Sequence, residues 1–255
     1  MNGKLDAPLH VPMQCVCEVW FADLGRYLIF IEDEERRWPR LSPDEMLRAE
    51  RISDADQRRL WRASHIALRD ILERSCGPDV RRVPFVSKVG GRPELAPELA
   101  PELARELGGG AEAAALSFSL SHTVDVALIG ISRAGPIGVD IEAIHARAFA
   151  EQRRQRIEAI ALDIADGRAL PEDIDRRFLQ AWTRVEALSK ADGRGVLHTL
   201  SSAAGKVQEG KGTTVRLVEV RDLEVGARFC ASVAGRALPD ELAVKTYVPG
   251  GMQPL

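Results

Sequence analysis

The chain has 255 residues, 45% of them apolar, with 38 acidic against 35 Lys and Arg side chains and a pI near 6.0. That length buries a sizeable core in one large domain or two packed halves, and the apolar fraction excludes a disordered chain. A formal charge of −3 argues against generic nucleic-acid binding, which needs a basic footprint, and no apolar run of membrane-spanning length occurs. Only Lys4, Lys88, Lys190, Lys206, Lys211 and Lys245 are lysines, so the other 29 basic residues are arginines, whose planar fork suits phosphate. The opening MNGKLDAPLHVPMQC has no continuous apolar stretch of a secretory leader. Cys15, Cys17, Cys76 and Cys230 form no CxxC, so a reducing, cytoplasmic compartment is expected.

In chain order, 14–21 (QCVCEVWF) and 27–31 (YLIFI) read as strands, being short and rich in β-branched or aromatic residues. A helix then starts at LSPDEMLRAERI: Ser42 fits the N-cap, Pro43 the first turn, and Glu45 the reciprocal partner three residues on. A second helix, about 54–74, sets Leu60, Ile66, Leu68, Ile71 and Leu72 against the core and projects Arg58, Arg59, Arg62 and Arg69 as basic charge. Residues 93–104 spell PELA three times, and proline at every repeat excludes a regular helix. The segment 93–110 reads as an exposed low-complexity loop. Strands are expected at 116–120, 125–132 and 137–142, helices at about 146–165 and 172–191, and a strand-rich tail from 196 to 249. The pattern is α+β, in two comparable halves, 1–133 and 134–255, the second carrying the acidic residues of the expected metal site.

Four constellations carry chemistry. In GVDIE, Asp140 and Glu142 are two apart on a strand, so both carboxylates face one spot while Val139 and Ile141 face the core. Carboxylates so placed repel unless a cation or basic groups lie between them. In FLQAWTRVEALSKADGRG, Phe178, Trp182, Val185 and Leu188 form the buried stripe, and Glu186 and Lys190 share another face one turn apart. The DGRG turn that follows lets backbone approach a ligand closely. Ser121-His122, with Thr123, sets hydroxyl, imidazole and backbone donors at a strand end, a phosphate-binding set. Gly90-Gly91-Arg92-Pro93 is a turn presenting one guanidinium. A serine-protease reading fails for want of a GxSxG elbow, and His10, His145 and His198 lack zinc-ligand spacing.

Taken in order, LSPDE, an arginine-bearing helix, GGRPEL, FSLSHT, IGVDIE and FLQAWTRVEALSKADGRG resemble the 4′-phosphopantetheinyl transferase superfamily over roughly residues 41–196. The type most similar is the two-half, monomeric one that activates carrier proteins of peptide, polyketide or fatty-acid synthases. The resemblance implies a pseudo-twofold α+β fold of two similar halves with coenzyme A in the cleft between them, and Mg²⁺ as the metal. Carried across by position, Asp140, Glu142 and Glu186 match the metal-site acids. Gly91, Arg92 and Pro93 match the G(K/R)P turn, Ser121 and His122 the loop holding the coenzyme's phosphates, and Lys190 the lysine one turn beyond the glutamate. Glu186, Lys190 and His122 are thereby the expected catalytic groups. Arg59 or Arg62 replaces an arginine that relatives often carry at the position of Leu60, and Arg48 or Arg51 shares the 3′-phosphate. Val185 replaces a lysine of many relatives, and the PELA segment has no counterpart.

The implied partner is an acidic acyl or peptidyl carrier protein, met by Arg147, Arg153, Arg154 and Arg156, a local charge of +3 with Glu151 counted. Two other readings stay open: a Mg²⁺-dependent nucleotide or pyrophosphate hydrolase, and a non-catalytic binder of coenzyme A or of carriers.

Overall fold

The computed structural model describes residues 17–76, 81, 84–87, 93–95, 116–145, 150–201 and 218–251. Among these the chain runs β1 (Cys17–Asp23), α1 (Leu24–Arg37), α2 (Pro43–Glu50), α3 (Ala55–Cys76), β2 (Phe85–Ser87), β3 (Pro93–Leu95), β4 (Ser117–Thr123), β5 (Val126–Ser132), β6 (Ile137–Ala143), α4 (Glu151–Ile164), α5 (Ile174–Asp192), β7 (Glu219–Asp222), β8 (Phe229–Gly235) and β9 (Val244–Thr246). The mixed α+β composition agrees with expectation. Two sheets carry the fold, one ordered β4-β5-β1-β9 and one β6-β8-β7, with β2 and β3 forming a separate antiparallel pair.

Strand alternation explains how the layers stack. On β5, Ala127, Ile129 and Ile131 join the core shared with Tyr27 and Ile31 of α1 and with Ile66, Leu68 and Ile71 of α3. Val126 and Leu128 point the other way, into a second core with Val139 and Ile141 of β6 and Ala231 and Val233 of β8. Cys230 and Ala234, on the opposite face of β8, meet Ile157 and Ile160 of α4 and Val185 of α5 in a third core. The order is therefore helices, sheet, sheet, helices, with apolar contact at each of three seams.

Residues 27–31 are helical rather than extended. Asp23 ends β1 and caps α1, its carboxylate accepting from the Arg26 amide at 2.9 Å. Leu24, Tyr27, Ile31 and Glu35 form the buried face, while Ile29 is 68% exposed. The apolar run YLIFI satisfies either period, and the cap with the 24/27/31/35 spacing decides it. The reciprocal cap of α2 is as read: the Glu45 amide bonds the Ser42 hydroxyl, and the Glu45 carboxylate takes the Ser42 amide at 2.8 Å. Arg69 does not project as surface charge. It is 2% exposed, paired with Glu45 at 2.7 Å and laid over the Phe85 ring. Pro93–Leu95, read as the start of an exposed loop, pair instead with Phe85–Ser87, while 96–115 lie outside the described residues.

The tail returns to the first sheet, where Val244–Thr246 pair parallel with Val19–Phe21. The Tyr247 hydroxyl then donates to Asp70 at 3.0 Å, and Arg74 donates to the Val248 carbonyl, fastening this return to α3. Among the described residues no helix is long and apolar enough to cross a membrane.

Candidate active site

The sequence SFSLSHT alternates, and the structure shows what the alternation serves. Phe118 packs in the helix-facing core of the first sheet, whereas Ser117, Ser119 and Thr123 face β6. Strand β6 is the edge of the second sheet, and an edge strand presents backbone N–H groups without ladder partners. The Ser117 hydroxyl accepts from Ile137 N, Ser119 from Val139 N, and Thr123 from Ala143 N, a constant offset of 20 residues along two adjacent strands. Ser121, at the remaining step, instead donates to Asp140 Oδ1 at 2.7 Å.

On the other side of β6, Gly138 faces α5. A Cβ there would fall 2.0 Å from the Ala187 carbonyl oxygen and 2.5 Å from the Ala191 nitrogen, so only glycine admits so close an approach. That approach brings α5 onto the strand and its Lys190 onto Asp140: the ammonium lies 2.7 Å from Asp140 Oδ1 and 3.0 Å from the Val139 carbonyl. Asp140 is 5% exposed, and its second oxygen, Oδ2, is buried and has no hydrogen-bond partner among the described residues. Glu186 reaches the same neighbourhood. Its carboxyl is raised above the ordinary glutamate value first by burial and then by the Asp140 charge, with Lys190 opposing and Glu142 adding to the effect.

The interior bonds of α5 fix this arrangement. Arg184, 1% exposed, grips Asp222 of β7 through two nitrogens at 2.8 and 2.6 Å, and Gln180 donates to Asp222 and to Ser232 of β8. The helix begins on the Asp173 cap and ends at Gly193, whose φ of +70° is left-handed. Gly193 and Gly195 (φ +81°) thus serve turn geometry, and nothing beyond that is needed to account for them. Val185 is fully buried in the core between α4, α5 and β8, as befits its departure from lysine.

His122 and Ser121, grouped by sequence as one phosphate-binding pair, leave opposite faces of β4. Ser121 is buried against Asp140, while His122 is exposed at the strand's end. The protein packed around the His122 imidazole and the charge of Lys190 hold it below the ordinary histidine value. Sequence reasoning missed His65. It stacks on Trp61 with ring centroids 3.7 Å apart, its Nδ1 lies 2.9 Å from the Trp61 carbonyl, and burial together with the nearby His122, Arg69 and Arg48 takes it down to about 3. The i, i+4 spacing of Trp61 and His65 on a helix was the available signal.

The arginines divide. Arg59 is held by Glu32 of α1 through two hydrogen bonds of 2.8 and 2.9 Å, and Arg58 lies on Glu50. Arg48 is exposed and close enough to His65 to act on its charge; Arg51 is exposed and Arg62 half-buried. Gly91 and Arg92 lie outside the described residues, as does Arg147. On α4, Arg154 is paired with Glu151, the one acid already counted in the expected +3, while Arg153 and Arg156 are exposed.

The donor chemistry around Asp140 fits a hard divalent cation: oxygen ligands, excess negative charge and an unpartnered buried carboxylate oxygen. Among the described residues, however, no three His, Cys, Asp or Glu side chains are gathered closely enough to form a complete metal-holding group, and Lys190 supplies the positive charge on Asp140. Asp140, Glu142 and Glu186 are thus neighbours by charge rather than a closed cage. Cys17 and Cys230 are buried, and burial pushes Cys230 up to about 11, which keeps it an unreactive thiol.

An acidic strand end and a lysine-bearing helix are thus clamped together at the edge of the second sheet of this α+β fold. Two curated proteins are similar in sequence to this chain. A provisionally named 4′-phosphopantetheinyl transferase of Synechocystis sp., slr0495, is 28% identical over 165 residues, and the 4′-phosphopantetheinyl transferase HetI of Nostoc sp. is 30% identical over 157 residues. Each match covers 61% of this chain, and the matched part spans only 58% and 61% of the two relatives. The resemblance to the 4′-phosphopantetheinyl transferase superfamily read from the motifs is therefore supported by whole-segment similarity. No protein-family model matches the chain.

Proposed function

We propose that this protein transfers the 4′-phosphopantetheine group of coenzyme A to a serine of an apo acyl or peptidyl carrier protein, releasing adenosine 3′,5′-bisphosphate. The observation that carries the reading is the convergence of Asp140, Glu186 and Lys190 at the Gly138 contact, in a chain whose relatives bear the transferase name. In the transfer the serine Oγ forms a bond to the phosphorus that bears pantetheine, and the bond from that phosphorus to the bridging oxygen of the pyrophosphate breaks. Charge develops on the bridging and equatorial oxygens, so most of the acceleration comes from positioning and electrostatic stabilisation.

Glu186 takes the serine proton. A carboxylate lifted above its ordinary value is a stronger base near neutrality than a solvated one, and burial beside Asp140 supplies that lift. Lys190 neutralises phosphate oxygens, and the exposed His122 donates to them. Arg48, with Arg51 and Arg62, faces the 3′-phosphate, Arg59 being engaged by Glu32. Mg²⁺ would be held by Asp140, Glu142 and Glu186, and when bound it supplies charge neutralisation to the pyrophosphate. The carrier protein meets the exposed Arg153 and Arg156 face.

The test is mass measurement of an apo carrier protein after incubation with this protein, coenzyme A and Mg²⁺. One added phosphopantetheine, lost with chelator, is expected. Release of nucleotide without any gain on the carrier would favour a hydrolase instead.

A further inference from the structure

The offset of 20 residues between β4 and β6 predicts a hydroxyl at position 121 reaching the amide of Ile141, as 117, 119 and 123 reach 137, 139 and 143. The Ser121 hydroxyl departs from this pattern and donates to Asp140 Oδ1 at 2.7 Å, the length of a hydrogen bond to an ionised carboxylate. Lys190 donates to the same oxygen, also at 2.7 Å. Two donors on Oδ1 set the plane of the carboxylate and leave Oδ2 buried, with no hydrogen-bond partner among the described residues. A serine occupied in this way has no hydroxyl proton left for a phosphate.

We propose that Ser121 is a positioning residue for a divalent cation: its hydroxyl, by holding Asp140 Oδ1, presents Oδ2 as the ligand oxygen, in place of the phosphate contact that its motif implies. This rests on the metal site proposed above. Loss of a group that orients a ligating side chain typically lowers metal affinity by about 10- to 100-fold. The hydroxyls of Ser117, Ser119 and Thr123 satisfy edge amides and have no such part, which makes them internal controls.

Mn²⁺ alone is titrated into the metal-free full-length protein, following free Mn²⁺ by its electron paramagnetic resonance. Coenzyme A binding is measured separately by calorimetry in excess chelator. Asp140→Asn identifies the signal belonging to this site. Ser121→Ala is expected to weaken Mn²⁺ binding there by about 10- to 100-fold, while coenzyme A affinity in chelator stays within about two-fold of the parent and Ser121→Thr restores the cation affinity. Ser119→Ala should leave Mn²⁺ binding as in the parent. Unchanged Mn²⁺ affinity in Ser121→Ala overturns the proposal, and so does an equal loss in Ser119→Ala, which would trace the effect to the seam at large. Loss of coenzyme A binding in chelator would return Ser121 to the phosphate. A parent protein that takes up no Mn²⁺ at this site removes the metal reading itself, an outcome visible before any serine variant is compared.

Discussion

Gly138→Ala tests whether the spacing between α5 and β6 is what assembles the site. The added Cβ would stand 2.0 Å from the Ala187 carbonyl oxygen, 2.5 Å from the Ala191 nitrogen and 2.9 Å from the Lys190 Cβ. Two of the three are helix backbone atoms, so no side-chain rotation relieves the overlap, and the helix must withdraw by roughly 1.4 Å or more to reach ordinary contact. Arg184 and Gln180 hold α5 to β7 and β8, so withdrawal at one end strains a buried hydrogen-bonded network at the other. Overpacking of this kind costs about 1–3 kcal/mol, which for a chain of this size lowers the melting temperature by about 2–10 °C. The same displacement carries Glu186 and Lys190 away from Asp140, and a misplacement of about 1 Å reduces turnover by about 100-fold. Calorimetric melting alongside carrier-mass turnover reads both effects. An alanine variant with parental melting temperature and turnover would refute the steric argument; one that melts early yet turns over normally would refute the link from helix spacing to chemistry.

Glu186→Gln is expected to abolish transfer to the carrier while coenzyme A still binds, measured by carrier mass and calorimetry; near-normal turnover would remove Glu186 as the base. Charge reversal of Arg153 and Arg156 to Glu should raise the apparent KM for the carrier several-fold at low salt and far less at high salt, since screening acts on exposed charge; a salt-independent, unchanged KM would dismiss this face. His65 should make the fold acid-sensitive: the folded-state imidazole titrates at about 3, against an ordinary 6.5, so as pH falls through that window the unfolded chain binds a proton that the folded one refuses, and stability drops. Chemical denaturation of His65→Gln at pH 7 and pH 4.5 should show a shallower loss than the parent, by at most about 1.4 kcal/mol per pH unit. Parallel losses in the two proteins would count against a buried neutral imidazole.

Much of the site could be read from short-range rules. Period two on a strand places Asp140 and Glu142 on the face away from Val139 and Ile141, and period 3.6 places Glu186 and Lys190 together; both arrangements hold because they depend only on local backbone geometry. The Ser42–Glu45 cap is legible for the same reason. YLIFI misled because five apolar residues fit both periods, and the deciding Asp23 cap lies outside the run. Arg69 misled because a basic residue on a helix of basic residues looks solvated until Glu45, 24 positions earlier, is brought against it.

The sequence by itself determined the α+β class, the strand carrying Asp140 and Glu142, the helix carrying Glu186 and Lys190, and the family resemblance, all of which rest on residue type at fixed local spacing. Only the tertiary structure decided which of these groups meet. The Gly138 contact sets Lys190 on Asp140 across 50 positions, and the hydroxyls of β4 reach amides 20 residues away and turn one of their number, Ser121, onto a carboxylate. Such pairings depend on which edges two sheets present to each other, and a period along one strand carries no information about the strand that will lie beside it.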